Sequence, residues 1–215
     1  MSCTLCNLRK PKRFCPAVHD RICAVCCGEQ REITLDCPND CVYLQEARKH
    51  EHHALKDLPR AALFPEVEIR EQFLYEREPL LTGLSFALAK SARADRTLRD
   101  SDLIAAVTTL AQKQQTLVNS GLHVGGANTS PVQQAIISGV ENMLAEYREM
   151  EQKHVGYSSL RDSDVLLALV FLVRMAYSRS SGRPRSRAFV DFLCEQFPER
   201  SDSIAAPQGS SIVIP

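Results

Sequence analysis

The sequence predicts a mainly α protein, with a small Cys-rich N-terminal module followed by an all-helical domain. Three observations carry this expectation. Eight of the nine cysteines fall within the first forty-one of 215 residues. From about residue 61 to 197, apolar residues recur at steps of three and four between capping residues, without alternating strand patterns. Within that region Leu98–Arg99–Asp100–Ser101–Asp102 recurs as Leu160–Arg161–Asp162–Ser163–Asp164.

The N-terminal module comes first in the chain. Residues 1–60 hold eight cysteines but only twelve Val, Ile, Leu or Phe. A piece so short and so poor in apolar side chains buries too little surface to fold unaided. Metal is expected to supply the difference, since a structural zinc contributes roughly 10–16 kcal/mol in small peptides at neutral pH. Eight thiolates make two sets of four, enough for two tetrahedral sites, so two Zn2+ ions are expected. Cys3-x2-Cys6 and Cys23-x2-Cys26 are separated by sixteen residues, in the range of two facing zinc knuckles. Asn7 and Gly28 lie where a left-handed backbone would help such turns close. The second set is Cys15, Cys27, Cys37 and Cys41, with Pro38 read as the first residue of a helix that mounts the last pair. Cys26 and Cys27 are adjacent with diverging side chains, so one ion is not expected to take both. Cys15-x3-His19 also has ligand spacing, which leaves His19 as an alternative to Cys27. Four thiolates leave no open coordination position, so these zincs read as structural. Oxidation of one ligand would release the metal, which makes a thiol redox or zinc-release sensor an alternative role.

Residues 3–41 resemble cross-braced double-zinc fingers of the HIT and MYND type, and the helix-mounted last pair is similar to a treble clef. Those fingers usually finish with a His and a Cys, where this sequence has Cys37 and Cys41. The resemblance implies a module that recruits protein partners. The whole layout, a Cys-rich head on a helical body with the loop Gly182–Arg183–Pro184–Arg185–Ser186–Arg187, also resembles uncharacterised bacterial zinc-binding proteins. That second resemblance implies no function.

The remaining elements follow in order. Val42 to Leu58 reads as a helix leaving the module. Pro65 and Pro79 suit first-turn positions of two successive helices. Asp100–Ser101–Asp102 can cap a helix running to about Asn119 and stopping at Gly121. Ser130–Pro131 starts a long helix ending near Gly156, with Val132, Ile136, Val140, Met143, Tyr147 and Met150 on one face. Asp162–Ser163–Asp164 caps the apolar helix to about Tyr177, and Pro184 opens the last one, to about Phe197. The repeated segment, with Ala106 and Leu110 matching Ala168 and Leu172, reads as an internal helical-hairpin repeat or as two helices sharing one good cap. The organisation expected is residues 1–60, then 61–200, then a polar tail 201–215. The tail ends Ile212–Val213–Ile214–Pro215 and reads as a disordered terminus or as a segment docking in a helical groove.

Charge bounds the function. With 26 basic and 26 acidic residues, no whole-molecule field draws in nucleic acid or anionic membrane. The longest apolar run, Val165 to Val173, is too short for a membrane helix of ~20 residues. The N-terminus lacks a secretory pattern, so dense cysteines point to metal in a reducing cytoplasm. Two basic segments stand out: Arg9–Lys10–Pro11–Lys12–Arg13, and Arg174, Arg179, Arg183, Arg185 and Arg187. The first reads as a phosphate-binding surface or as partial neutralisation of the thiolate clusters, and the second as a phosphate-binding surface or as a solvated loop paired with acidic residues elsewhere. His50, His52 and His53 read as a solvated face, and Cys194 as a core thiol. No phosphate loop, nucleophile elbow or convergent carboxylate pair is present, so no catalytic residues are assigned and nothing supports an enzyme. The best reading is a zinc-binding protein that acts by binding a macromolecular partner, a protein first. The alternatives are a nucleic-acid-binding regulator using loops 9–13 and 179–187, and the sensor. Oligomeric state is not legible.

Overall fold

The computed structural model describes residues 2–50, 58–122 and 129–198. Among these residues the chain forms a two-stranded ribbon and eight α-helices. The head contains β1 (Arg13–Cys15), β2 (Asp20–Ile22), α1 (Ala24–Gln30) and α2 (Val42–His50). The body contains α3 (Glu71–Glu76), α4 (Glu78–Ala94), α5 (Asp100–Ser120), α6 (Pro131–Val155), α7 (Asp162–Arg179) and α8 (Ala188–Gln196). The mainly helical class is as the sequence predicts.

The ribbon is a departure from that reading. β1 pairs antiparallel with β2, with Phe14 opposite Arg21 and Cys15 opposite Asp20. Three residues per strand are too few to display a period of two. Asn7 is left-handed as expected (φ 53), and its N–H donates to the Cys3 carbonyl at 2.7 Å. Gly28 instead lies inside α1, and a left-handed residue, Glu32 (φ 53), follows that helix. Pro38 is not the first helical residue. It sits in a turn closed by the Cys41 N–H on its carbonyl (3.1 Å), and Cys41 directly precedes α2. The expected helix to Leu58 is described only to His50; residues 51–57 lie outside the described residues, and Leu58 is not helical.

Capping explains most of the body. Pro79 lies in the first turn of α4 as expected. Gly121 (φ 68) and Gly156 (φ 85) end α5 and α6 in the left-handed C-cap conformation. Pro65 does not open a helix. It follows a 3-10 turn, Arg60–Leu63, and the Arg174 guanidinium holds this irregular stretch by donating to the carbonyls of Leu63 (2.9 Å), Phe64 (2.7 Å) and Val67 (2.7 Å). Pro184 does not open α8 either. The Asp100 carboxylate, 1 % exposed, accepts from the Phe189 and Val190 N–H groups at 3.1 and 3.0 Å. It also accepts the Ser186 hydroxyl at 2.6 Å. The helix therefore begins where a side chain from α5 caps it.

The body has one apolar core, from the inner faces of α4 to α8 and including Leu84, Leu88, Leu103, Ile136, Leu169 and Phe189. Each such side chain, fully buried, contributes about 1.5–3 kcal/mol. α5 runs along α7, α4 along α6, and α8 rests mainly on α4. The stripe on α6 is buried or half-buried from Val132 to Tyr147, while Met150 is exposed. The two repeated segments open α5 and α7, which pack together. Their third helical residues, Asp102 and Asp164, accept from the N–H of Arg99 (2.9 Å) and Arg161 (3.4 Å). Arginine has no acceptor, so each capping box is one-sided. The head has its own apolar cluster, built of cysteines with Ile22 and Leu35.

Candidate metal centre

Cys3, Cys6, Cys23 and Cys26 come together, with their four sulfurs all within 4.8 Å of one another. Cys3, Cys23 and Cys26 are buried, and Cys6 is partly covered. Local backbone puts them there. Cys23 is the N-cap of α1, and its sulfur accepts the Cys26 N–H at 3.4 Å. The Cys23 N–H in turn donates to the Cys3 sulfur at 3.2 Å. Leu8 and Arg9 donate their backbone N–H groups to Cys6.

Electrostatics follow from this packing. Burial drives the Cys3 thiol up, but donors from Cys23, Cys6 and Leu5 bring it down to about 6. The Leu8 and Arg9 N–H groups lower Cys6. Hydrogen bonding with Cys23, then burial, pushes Cys26 up to about 12. Neighbouring thiolates oppose one another's ionisation, so one holds its proton unless a cation joins them. Four soft sulfur donors with N–H support suit zinc.

The second set converges less tightly. Cys15, Cys27, Cys37 and Cys41 line one cavity of about 10 Å3, with Arg31, Leu35, Pro38 and Tyr43 around them. Only the first set draws its four sulfurs together as a compact ligand group among the described residues. Burial raises the Cys37 thiol, and the nearby Cys41 and Cys15 raise it further. His19 is exposed and does not line this cavity. Cys26 and Cys27 diverge, one into each set.

Some of the basic residues are engaged within the fold, while Arg9, Lys10, Lys12 and Arg179 remain exposed. The Arg9 side chain hydrogen-bonds Cys23. Arg13 donates to the Cys27 sulfur at 3.4 Å and stacks over the Tyr43 ring at 4.6 Å. Two of the four cations in residues 9–13 thus balance sulfur charge. In the second segment, Arg179 lies 3.7 Å over Phe192 and Arg187 donates to the Arg96 carbonyl at 2.6 Å. Arg183 donates to the carbonyls of Gly28 (2.9 Å) and Arg31 (2.7 Å), while Arg185 is exposed.

Among the other candidates, His50 is exposed and pairs with Glu46 at 3.3 Å. His52, His53 and His123 lie outside the described residues. Cys194 is half-buried against the body core, and burial raises its thiol. Sequence reasoning missed a groove of about 420 Å3 between α4 and α6, lined by Phe86, Leu98, Val132, Ile136 and Met143 together with small residues. Its signal was available in Ala87, Ser91, Ala135 and Gly139, which fall on the facing sides of the two helices. Among the described residues no helix is long and apolar enough to cross a membrane. Compared with known proteins, the chain matches no family model, no curated protein and no solved structure.

Proposed function

We propose that this protein is a cytoplasmic, zinc-stapled adaptor that acts by binding a protein partner. The carrying observation is the buried cluster of four sulfurs within 4.8 Å, a donor set that closes around one ion and leaves no position for substrate. Zinc bound there would supply shape and stability to the head. A second zinc, held by Cys15, Cys27, Cys37 and Cys41, belongs to the same reading. Its support is their shared cavity, the Arg13 contact to Cys27 and the exposure of His19. Residues 1–60 would then work as one unit and 61–200 as another.

The partner-binding surface would be the groove between α4 and α6, whose largely apolar lining also includes Lys90, Asp95 and Glu146. Arg174, Arg183 and Arg187 donate to backbone carbonyls within the fold, which supports a protein partner over nucleic acid, while Arg179 and Arg185 stay exposed. A pull-down from lysate tests this reading, using intact chain, chelator-treated chain and an Ala135→Glu variant. One partner, kept at high salt by the intact chain and lost by the variant, is expected. Capture that the variant leaves unchanged, or nucleic acid whose binding falls steeply with salt, would overturn it.

A further inference from the structure

We propose that metal occupancy of the second cysteine set governs whether the head stays docked on the helical body. This rests on the second zinc site proposed above. The head and the body have separate apolar cores, so the contacts joining them are largely polar. Gly28 and Arg31 offer their carbonyls to Arg183. The Glu32 carbonyl accepts the Arg185 N–H at 2.8 Å. The Glu32 carboxylate accepts from Ser181 at 2.8 Å and from Arg48 at 3.0 Å, and Arg48 reaches Asp191 at 3.0 Å. Asp36 pairs with Arg99 at 2.8 Å, and Asn39 donates to Glu195 at 3.1 Å.

These head residues lie between Cys27 and Cys41 or on α2 just beyond. Cys3, Cys6, Cys23 and Cys26 take no part in these bonds. Glu32 is the joint between metal set and body. Its N–H donates to the Cys37 sulfur, its carboxylate and carbonyl face the body, and it is 2 % exposed in a left-handed conformation. A non-glycine residue keeps that backbone only while its surroundings over-determine it. A metal tying Cys27 to Cys37 closes the intervening loop and removes the entropy that opposes this arrangement. Without that tie, a misplaced Glu32 would leave a buried charge poorly paired, and exposure to water becomes the favoured state.

Hydrogen exchange on the full chain tests the coupling at the Arg185 amide, whose acceptor is Glu32. Wild type holding two zincs should protect it. Cys37→Ser should hold one zinc and exchange about tenfold faster or more at Arg185, while core amides of α5 and α7 stay protected. Arg183→Met should keep both zincs yet show the same acceleration, which ties the probe to docking. If Cys37→Ser fails to fold, stripping and reloading wild type replaces it, and Arg185 protection should track metal content. Arg185 still protected after the second zinc is lost overturns the coupling with the second site intact. Wild type with a single zinc removes the site itself, and the coupling with it.

Discussion

Asp100 and Asp162 occupy the same place in the repeated segment and do different work. Asp100 is buried and accepts three hydrogen bonds from the start of α8 and from Ser186. Asp162 is exposed and pairs with Arg148 at 3.0 Å. Asp100→Ala should therefore lose about 2–4 kcal/mol in a denaturant titration, since it leaves buried donors unmet. Asp162→Ala should lose no more than about 0.5 kcal/mol. The repeat marked both helix starts, yet it could not say which aspartate caps which helix, because the partner of Asp100 lies some ninety residues on. The sulfurs were more legible. Cys-x2-Cys spacing identified the first cluster, because each pair lies within a single local turn of backbone. Their protons make a pH prediction. Cys26, pushed up to about 12, keeps its proton at neutral pH until metal displaces it. Cys3, held near 6, is already ionised at pH 7 and protonates only as pH falls below that value. Zinc loading at the first site should thus release more protons below pH 6 than above pH 7, and affinity should fall with acid. Calorimetry in buffers of different ionisation enthalpy counts those protons; a release independent of pH would contradict the assignment.

At the scale of elements, helices that carry their own stop signals were readable. Gly121 and Gly156 end α5 and α6 in the conformation that glycine adopts without strain. Gly156→Ala should cost about 1 kcal/mol, read as a lower melting temperature, because the new methyl group must accept a φ of 85. Elements whose limits are set from elsewhere were not readable. α8 starts where Asp100 caps it, four residues beyond Pro184, and the stretch around Pro65 is held irregular by Arg174. The ribbon of β1 and β2 was hidden by its length. At α8 and around Pro65, a long-range side-chain contact overrode a local proline signal.

At the scale of the whole molecule, the contrast between head and body decides what metal does. The body buries a continuous core across five helices, whereas the head's core is largely its own cysteines. Removing metal should therefore unfold residues 2–50 while α4 to α8 persist, so far-ultraviolet circular dichroism should lose only a minor part of its helical signal. Loss of the entire helical signal on chelation would show that the body depends on the head. Of the arginines that read as a phosphate surface in the sequence, Arg174, Arg183 and Arg187 instead donate to backbone carbonyls within the fold. The second cysteine set is where sequence reasoning runs furthest ahead, because spacing alone cannot say how closely four sulfurs approach across a ribbon, a loop and a helix start.

The most direct measurement is the zinc content of the intact full-length chain by native mass spectrometry, together with Cys6→Ser and Cys37→Ser. Two zincs per wild-type chain are predicted, with Cys37→Ser retaining the one held by Cys3, Cys6, Cys23 and Cys26. A folded wild-type chain that takes up no zinc, even when supplied in excess, would contradict the metal-held head on which the proposed function stands.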